Sequence, residues 1–236
     1  MSSRQEQKEA RRRERLERER KEKAAAARRK RLQIGGGVLL GAAAIAGVVV
    51  AIAVGMGGDD SGPSGSGEVD PAVAARIPEQ QTTDINEAAK AAGCTLKTAE
   101  FEGANHEEKE FRPADYQTNP PTSGNHTPDW YEDGIYAPDT TNDLGRLVHT
   151  LEHGRVNIQY KPGTPARTVE ELEALYAEMN EGYHLLVYQN TTGMEAAVAA
   201  TAWTQSLTCP EMNDKVFDAI RTFRQRYIDK GPETVP

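Results

Sequence analysis

The chain has 236 residues, with 28 Lys/Arg against 36 Asp/Glu and a formal net charge of -8 at pH 7. That total conceals two opposite halves: residues 1–33 carry 14 basic and 6 acidic side chains, and the remainder carries 14 and 30. Two cysteines outside any C-x-x-C pair exclude a dithiol redox motif and a cysteine-rich zinc module, and no Ser/His/Asp order or glycine-rich phosphate loop is present.

The basic segment 1–33 interleaves Glu with Arg at helical spacing, as in Glu14 and Arg18, and has no apolar stripe. It reads as a topology signal that also touches anionic lipid headgroups. Nucleic-acid binding is disfavoured, because the segment has many glutamates and no aromatic residue. Residues 34–57 follow without one charge. A helix needs about 20 apolar residues to cross a hydrocarbon core of about 30 Å, so this run is expected to be a single transmembrane helix in contact with membrane lipid. Lys/Arg next to a span stay on the cytoplasmic side. The expected localisation is therefore the cell membrane, single-pass, with the N-terminus cytoplasmic and the rest extracytoplasmic. A cleaved signal peptide is the competing reading, but it has a short basic region and an apolar core of only about 7–15 residues. Residues 58–68, including Asp59-Asp60-Ser61-Gly62-Pro63-Ser64-Gly65-Ser66-Gly67, have the composition of a flexible linker.

Residues 69–236 are long enough for one domain with its own core. Asp84 is placed to cap a helix that Gly93 ends. Leu96 to Phe101 reads as a strand. Arg112 to Thr141 carries five prolines and is expected to be a long ordered loop. Val156, Ile158 and Tyr160 alternate in a strand. Thr168 with Glu171 forms a capping-box pattern ahead of a helix whose apolar face is Leu172, Leu175, Tyr176 and Met179. Gly182 stops it, and Tyr183–Tyr188 and Val198–Leu207 read as two further strands. Asp214 opens a last amphipathic helix with Val216, Phe217, Ile220, Phe223 and Tyr227 on one face. Strands and helices mix without strict βαβ alternation, so the expected class is α+β, with a mainly antiparallel sheet and flanking helices. Two cysteines in an exported domain permit a single pairing, Cys94–Cys209, with one buried and one free thiol as the alternative.

The candidate chemistry lies in His106, His126, His149 and His153, with Glu152. Neutral imidazole is a common metal ligand. His149-Thr150-Leu151-Glu152-His153 reads H-x-x-E-H, like the inverted zinc-peptidase motif. On a helix, residues four apart share a face with Cβ atoms about 6 Å apart, so both imidazoles reach one ion. On a strand they lie about 13 Å apart and cannot. Spacing alone leaves helix and strand open, and with them three readings: hydrogen-bonded packing histidines, a transition-metal site, or peptidase chemistry. Copper or zinc suits imidazole donors. Glu152 is a weak candidate for a catalytic base, an orienter of a histidine, or an ion-pair partner. His184, among apolar neighbours, reads as a core or surface histidine. Asn119-Pro120-Pro121-Thr122-Ser123-Gly124-Asn125-His126 reads as a rigid loop presenting His126, with a cis bond at Asn119-Pro120 or Pro120-Pro121 as one option. Trp130, Tyr131 and Tyr136 then pack that loop or line a pocket.

The residues Asn119–His126, then Trp130, Gly134 and Tyr136, then Leu147–Gly154 followed by a Val-x-Ile-x-Tyr strand, resemble the domain of unknown function numbered three-one-zero-five. The resemblance spans about residues 90–235, including Ala202-Trp203 and a closing Gly231-Pro232-Glu233, and His106 fits a position before the loop. Asn125 stands where proline is usual. The resemblance implies a bacterial membrane-anchored module, found in many actinobacteria, with polar residues around a site; it implies no activity. The function expected is a membrane-anchored extracytoplasmic protein that binds a transition metal through its histidines. The alternatives are a metal-free domain that binds an envelope protein or glycan and, behind both, a metal-dependent hydrolase.

Overall fold

The computed structural model describes residues 70–233. The expected basic segment 1–33, span 34–57 and linker 58–68 lie outside the described residues. Among those described, no helix is long and apolar enough to cross a membrane.

Helix α1 (Pro71–Ala74) is capped by the Asp70 side chain. Helix α2 (Ile85–Ala92) begins at Asp84, whose carboxylate accepts from the Asn86 and Glu87 amides at 2.9 Å each, and ends at Gly93 with φ 71°. Asp84 thus satisfies two amides that the first turn leaves without an intrahelical partner. Strand β1 (Thr95–Thr98) is shorter than its sequence suggests. Its partner strand begins at Gln205, opposite Thr98; the Ala99 amide still donates to the Thr204 carbonyl at 2.8 Å, and there the partner turns back at Thr204.

The long proline-bearing segment holds one 3₁₀ turn (Pro113–Asp115) and a two-residue strand β2 (Gly134–Ile135). Helix α3 (Leu144–Glu152) follows, then β3 (Val156–Tyr160), α4 (Ala166–Glu178), β4 (Leu185–Gln189), β5 (Val198–Ala202), β6 (Gln205–Cys209) and α5 (Asp214–Tyr227).

The six strands form one mixed sheet in the order β1-β6-β5-β3-β4-β2. β1–β6, β6–β5 and β5–β3 pair antiparallel, and β3–β4 and β4–β2 pair parallel. The β3–β4 ladder is parallel because α4 carries the chain back across the sheet, as a crossover between parallel neighbours requires. The class is α+β, and the sheet is mixed rather than simply antiparallel.

Alternation along the strands sorts the two faces. Val156, Ile158, Leu185, Val187, Val198, Ala200, Leu207 and Cys209 meet α2, α4 and α5 in the main core. Leu186 and Tyr188 turn the other way and pack under α3 with Phe111, Tyr116, Tyr131 and Tyr136. Cys94 and Cys209 are disulfide-bonded, with Cα atoms 4.2 Å apart. The bond closes the sheet edge where Thr95 pairs with Thr208.

Three local readings are corrected. Val198–Leu207 is a hairpin rather than one strand: Ala202 pairs with Gln205 across Trp203-Thr204, and Thr204 takes φ 59°. The expected capping box at Thr168 does not form, because Pro165 starts the helix a turn earlier and the Thr168 amide donates to the Pro165 carbonyl at 2.9 Å. Glu171 instead accepts from Arg167 one turn back at 2.9 Å. The last helix begins at Asp214 as expected, and the Asn213 side chain caps it. His184 precedes β4 with φ 52° and pairs through Nδ1 with Asp229 at 2.6 Å.

Candidate metal centre

The site is built on α3. Asp143 caps the helix by accepting from the Arg146 amide at 3.1 Å. Thr150 Oγ1 donates to Asn157 Oδ1 at 3.0 Å, and Asn157 Nδ2 donates to the Leu147 carbonyl at 3.0 Å, which bolts α3 to β3. The helical geometry left open by the spacing is thereby decided, and His149 and Glu152, three apart, share the face turned toward the proline loop.

That loop has a cis Asn119-Pro120 bond. Ser123 Oγ accepts from the Glu102 amide at 3.2 Å, and the Thr122 carbonyl accepts from the Thr204 amide at 2.8 Å. Gly124 has φ 130°, and a Cβ there would sit 2.7 Å from the Tyr116 ring. These contacts fix His126, which is fully buried. The strand-like segment carrying His106 runs parallel beside it: the His126 amide donates to the Asn105 carbonyl at 3.0 Å, and the Glu107 amide donates to the His126 carbonyl at 2.8 Å.

Three imidazoles converge on one carboxylate oxygen. Glu152 Oε2 lies 2.9 Å from His126 Nε2, 3.4 Å from His106 Nε2 and 4.0 Å from His149 Nε2. The ring centroids of the three histidines are 4.6–4.8 Å apart in every pairing. One donor atom from each of the four residues lies within 4.8 Å of all the others.

The backbone sets the tautomers. His126 Nδ1 donates to the Gly124 carbonyl at 2.8 Å, and His149 Nδ1 donates to the Asp129 carbonyl at 3.1 Å. A proton on Nδ1 leaves the Nε2 lone pair facing inward, the arrangement that outer hydrogen bonds impose on metal-binding histidines. His126 Nε2, His149 Nε2 and Glu152 Oε2 are all buried without a hydrogen-bond partner. Buried polar atoms are normally satisfied, and a cation at the point on which these three acceptors converge would satisfy them. The His/Glu cluster could hold a metal ion.

The electrostatics agree. Burial pushes His126 and His149 below the usual imidazole range, and the neighbouring histidines push them further. Burial also pushes His153 down, to about 4, aided by His149 and Arg155. Burial raises Glu152, and Glu233 adds to the effect. Neutral imidazoles are the ligand form, and a cation among them would restore the charge on Glu152.

His106, His126 and His149 meet in the centre, and His153 does not join them. It caps the C-terminus of α3 and faces Glu233, with Nε2 3.5 Å from Oε2. Glu152 is buried, with Oε2 among the three imidazoles. Glu233 also reaches this end of α3, and its sequence signal is its place in the closing Gly231-Pro232-Glu233. It reaches the site because its amide donates to the Glu152 carbonyl at 3.1 Å and the Asp229 amide donates to the Gly154 carbonyl at 2.9 Å. Tyr131 and Tyr136 are buried against each other, with centroids 5.4 Å apart. Trp130 stands against His149 and His153, and Trp203 against His126. A groove of about 890 Å³ beside Pro120, lined by Thr98, Lys97 and Ser206, contains none of the donors.

The family model described as "Protein of unknown function (DUF3105)" matches residues 107–235. The chain belongs to this family. The match takes in His126, His149, Glu152, His153 and Glu233, and His106 is the residue just before it. No curated protein and no solved structure matches the chain.

Proposed function

We propose that this DUF3105 domain binds a divalent transition metal through His106, His126, His149 and Glu152, and that it is held outside the cytoplasm by the apolar segment 34–57. The observation that carries the reading is the convergence of three orphaned, buried acceptors, with His106 completing the set at the surface. Its side chain is 41 % exposed, so it marks the entrance.

Zinc fits the donors best. A four-coordinate ion with bonds of about 2.0–2.1 Å holds its donors about 3.3 Å apart, close to the separations around Glu152 Oε2. Three imidazoles in one square plane would set two opposite each other with centroids about 6.4 Å apart, the demand of tetragonal copper(II). Every pair here is far closer. The donor set has no sulfur, which copper(I) favours. Four protein donors fill a tetrahedral shell, so the role proposed is to hold and pass on the ion rather than to hydrolyse a substrate.

Support for the location comes from the basic residues ahead of the uncharged run 34–57 and from the Cys94–Cys209 disulfide, a bond of oxidising compartments. Membrane lipid is then one partner, and an envelope protein that supplies or takes the ion is another.

The test uses the full-length chain in detergent, stripped with chelator and dialysed against zinc. One zinc is retained per chain. Zinc at 100 times its Kd adds about 2.7 kcal/mol, which raises Tm by about 5–10 °C for a domain of this size. No retained zinc with an unmoved Tm rejects the reading.

A further inference from the structure

His149 belongs to two donor sets. Besides the centre above, His149, His153 and Glu233 each offer a donor atom, and these three atoms lie within 4.8 Å of one another. The His149 and His153 rings are 4.3 Å apart, the reach expected for residues four apart on a helix. His153 is 3 % exposed, and its Nδ1 is buried without a hydrogen-bond partner. Glu233 has a side chain 49 % exposed, so this second set reaches solvent at Glu233 as the first does at His106.

The two sets compete for one lone pair. The His149 Nδ1 proton is given to the Asp129 carbonyl. Only Nε2 remains to bind an ion, and a single lone pair serves a single ion. An ion in the His106/His126/His149/Glu152 set therefore denies His149 to the second set.

We propose that His149, His153 and Glu233 form a second, mutually exclusive zinc position, so that one ion shifts between an inner and an outer station by the swing of His149 from one set of partners to the other. The proposal rests on the reading of the inner centre as a zinc site. It gives the buried ion an exit beside Glu233 that does not pass back through His106. A Cβ on Gly231 would clash with the Glu152 carbonyl oxygen, so only glycine lets the chain come close enough to bring Glu233 to His153.

The test is a double-mutant cycle on the full-length chain in detergent, with zinc alone as the probe: wild type, Glu233→Gln, His106→Ala, and the two combined. His106 has the most exposed side chain of the inner set, so its removal weakens the inner station with less disturbance of packing than the loss of His126 or His149. Wild type takes up one zinc. Glu233→Gln weakens zinc binding less than about threefold in the wild-type background, where the inner station holds the ion, and at least about tenfold in the His106→Ala background, where the outer station carries it. The same effect of Glu233→Gln in both backgrounds, or two zinc ions bound together by wild type, overturns the proposal while leaving the inner centre standing. A wild-type chain that binds no zinc overturns the inner centre itself.

Discussion

Gly145 lies one helical turn ahead of His149, and a Cβ there would meet the Thr127 backbone nitrogen at 2.9 Å and the Phe111 ring at 2.7 Å. Its bare Cα lets α3 approach the segment that follows His126. Gly145→Ala is expected to cost about 1–3 kcal/mol of stability through overpacking, and to weaken zinc binding at least tenfold because donor positions tolerate little displacement. Parallel melting and zinc titrations check this; unchanged zinc affinity would show that α3 does not set the inter-histidine distance. The titration of the histidines gives a second expectation. His126, His149 and His153 are depressed in the folded state, so the unfolded chain takes up protons first as pH falls below about 6.5. Their effect is to lower stability as pH drops, down to about 4 for His153. Glu152 and Glu173 are raised by burial and act with the opposite sign, as two groups against three. The metal-free chain should lose Tm between pH 7 and pH 5, and His153→Gln should reduce that loss. A Tm that is flat or rises on acidification contradicts the assignment of these buried neutral imidazoles.

At the scale of elements, the sequence was readable where a side chain acts on its own neighbourhood. Asp84 and Gly93 bound α2 as their chemistry demands, and the alternation of Val156, Ile158 and Tyr160 marks a buried strand face. Reading failed where a more distant contact wins. Thr168 and Glu171 have the pattern of a helix start, yet the Pro165 carbonyl already accepts from the Thr168 and Val169 amides, so the helix opens at Ala166. Trp203-Thr204 carries no Gly, Asn or Asp to announce a turn, and the hairpin forms because Thr204 takes the left-handed conformation while its amide bonds the Thr122 carbonyl. The histidine spacing held the possibility of a shared helical face, but it could not divide the four histidines into two sets. That division comes from the end of α3 at His153 and from Glu233, delivered by a chain segment remote in sequence. His184 contributes here too, since its pairing with Asp229 pins that segment against β4.

On the scale of the whole molecule, the expected orientation places residues 69–236 beyond the cytoplasm, joined to the span by 58–68. Protease added to intact cells stripped of their wall should cut within 58–68 and release a fragment without free thiols, since Cys94 and Cys209 are bonded to each other. Protection until lysis contradicts that orientation. The disulfide and the centre sit on different parts of the same sheet, one closing the β1–β6 edge and the other on α3 over the opposite face. X-ray absorption at the zinc edge of the loaded full-length chain tests this most directly. The expected shell has three imidazole nitrogens and one carboxylate oxygen at about 2.0–2.1 Å, with no sulfur, and it loses an imidazole in His126→Ala. A shell of oxygens alone, or one that His126→Ala leaves unchanged, contradicts a zinc centre built from His106, His126, His149 and Glu152.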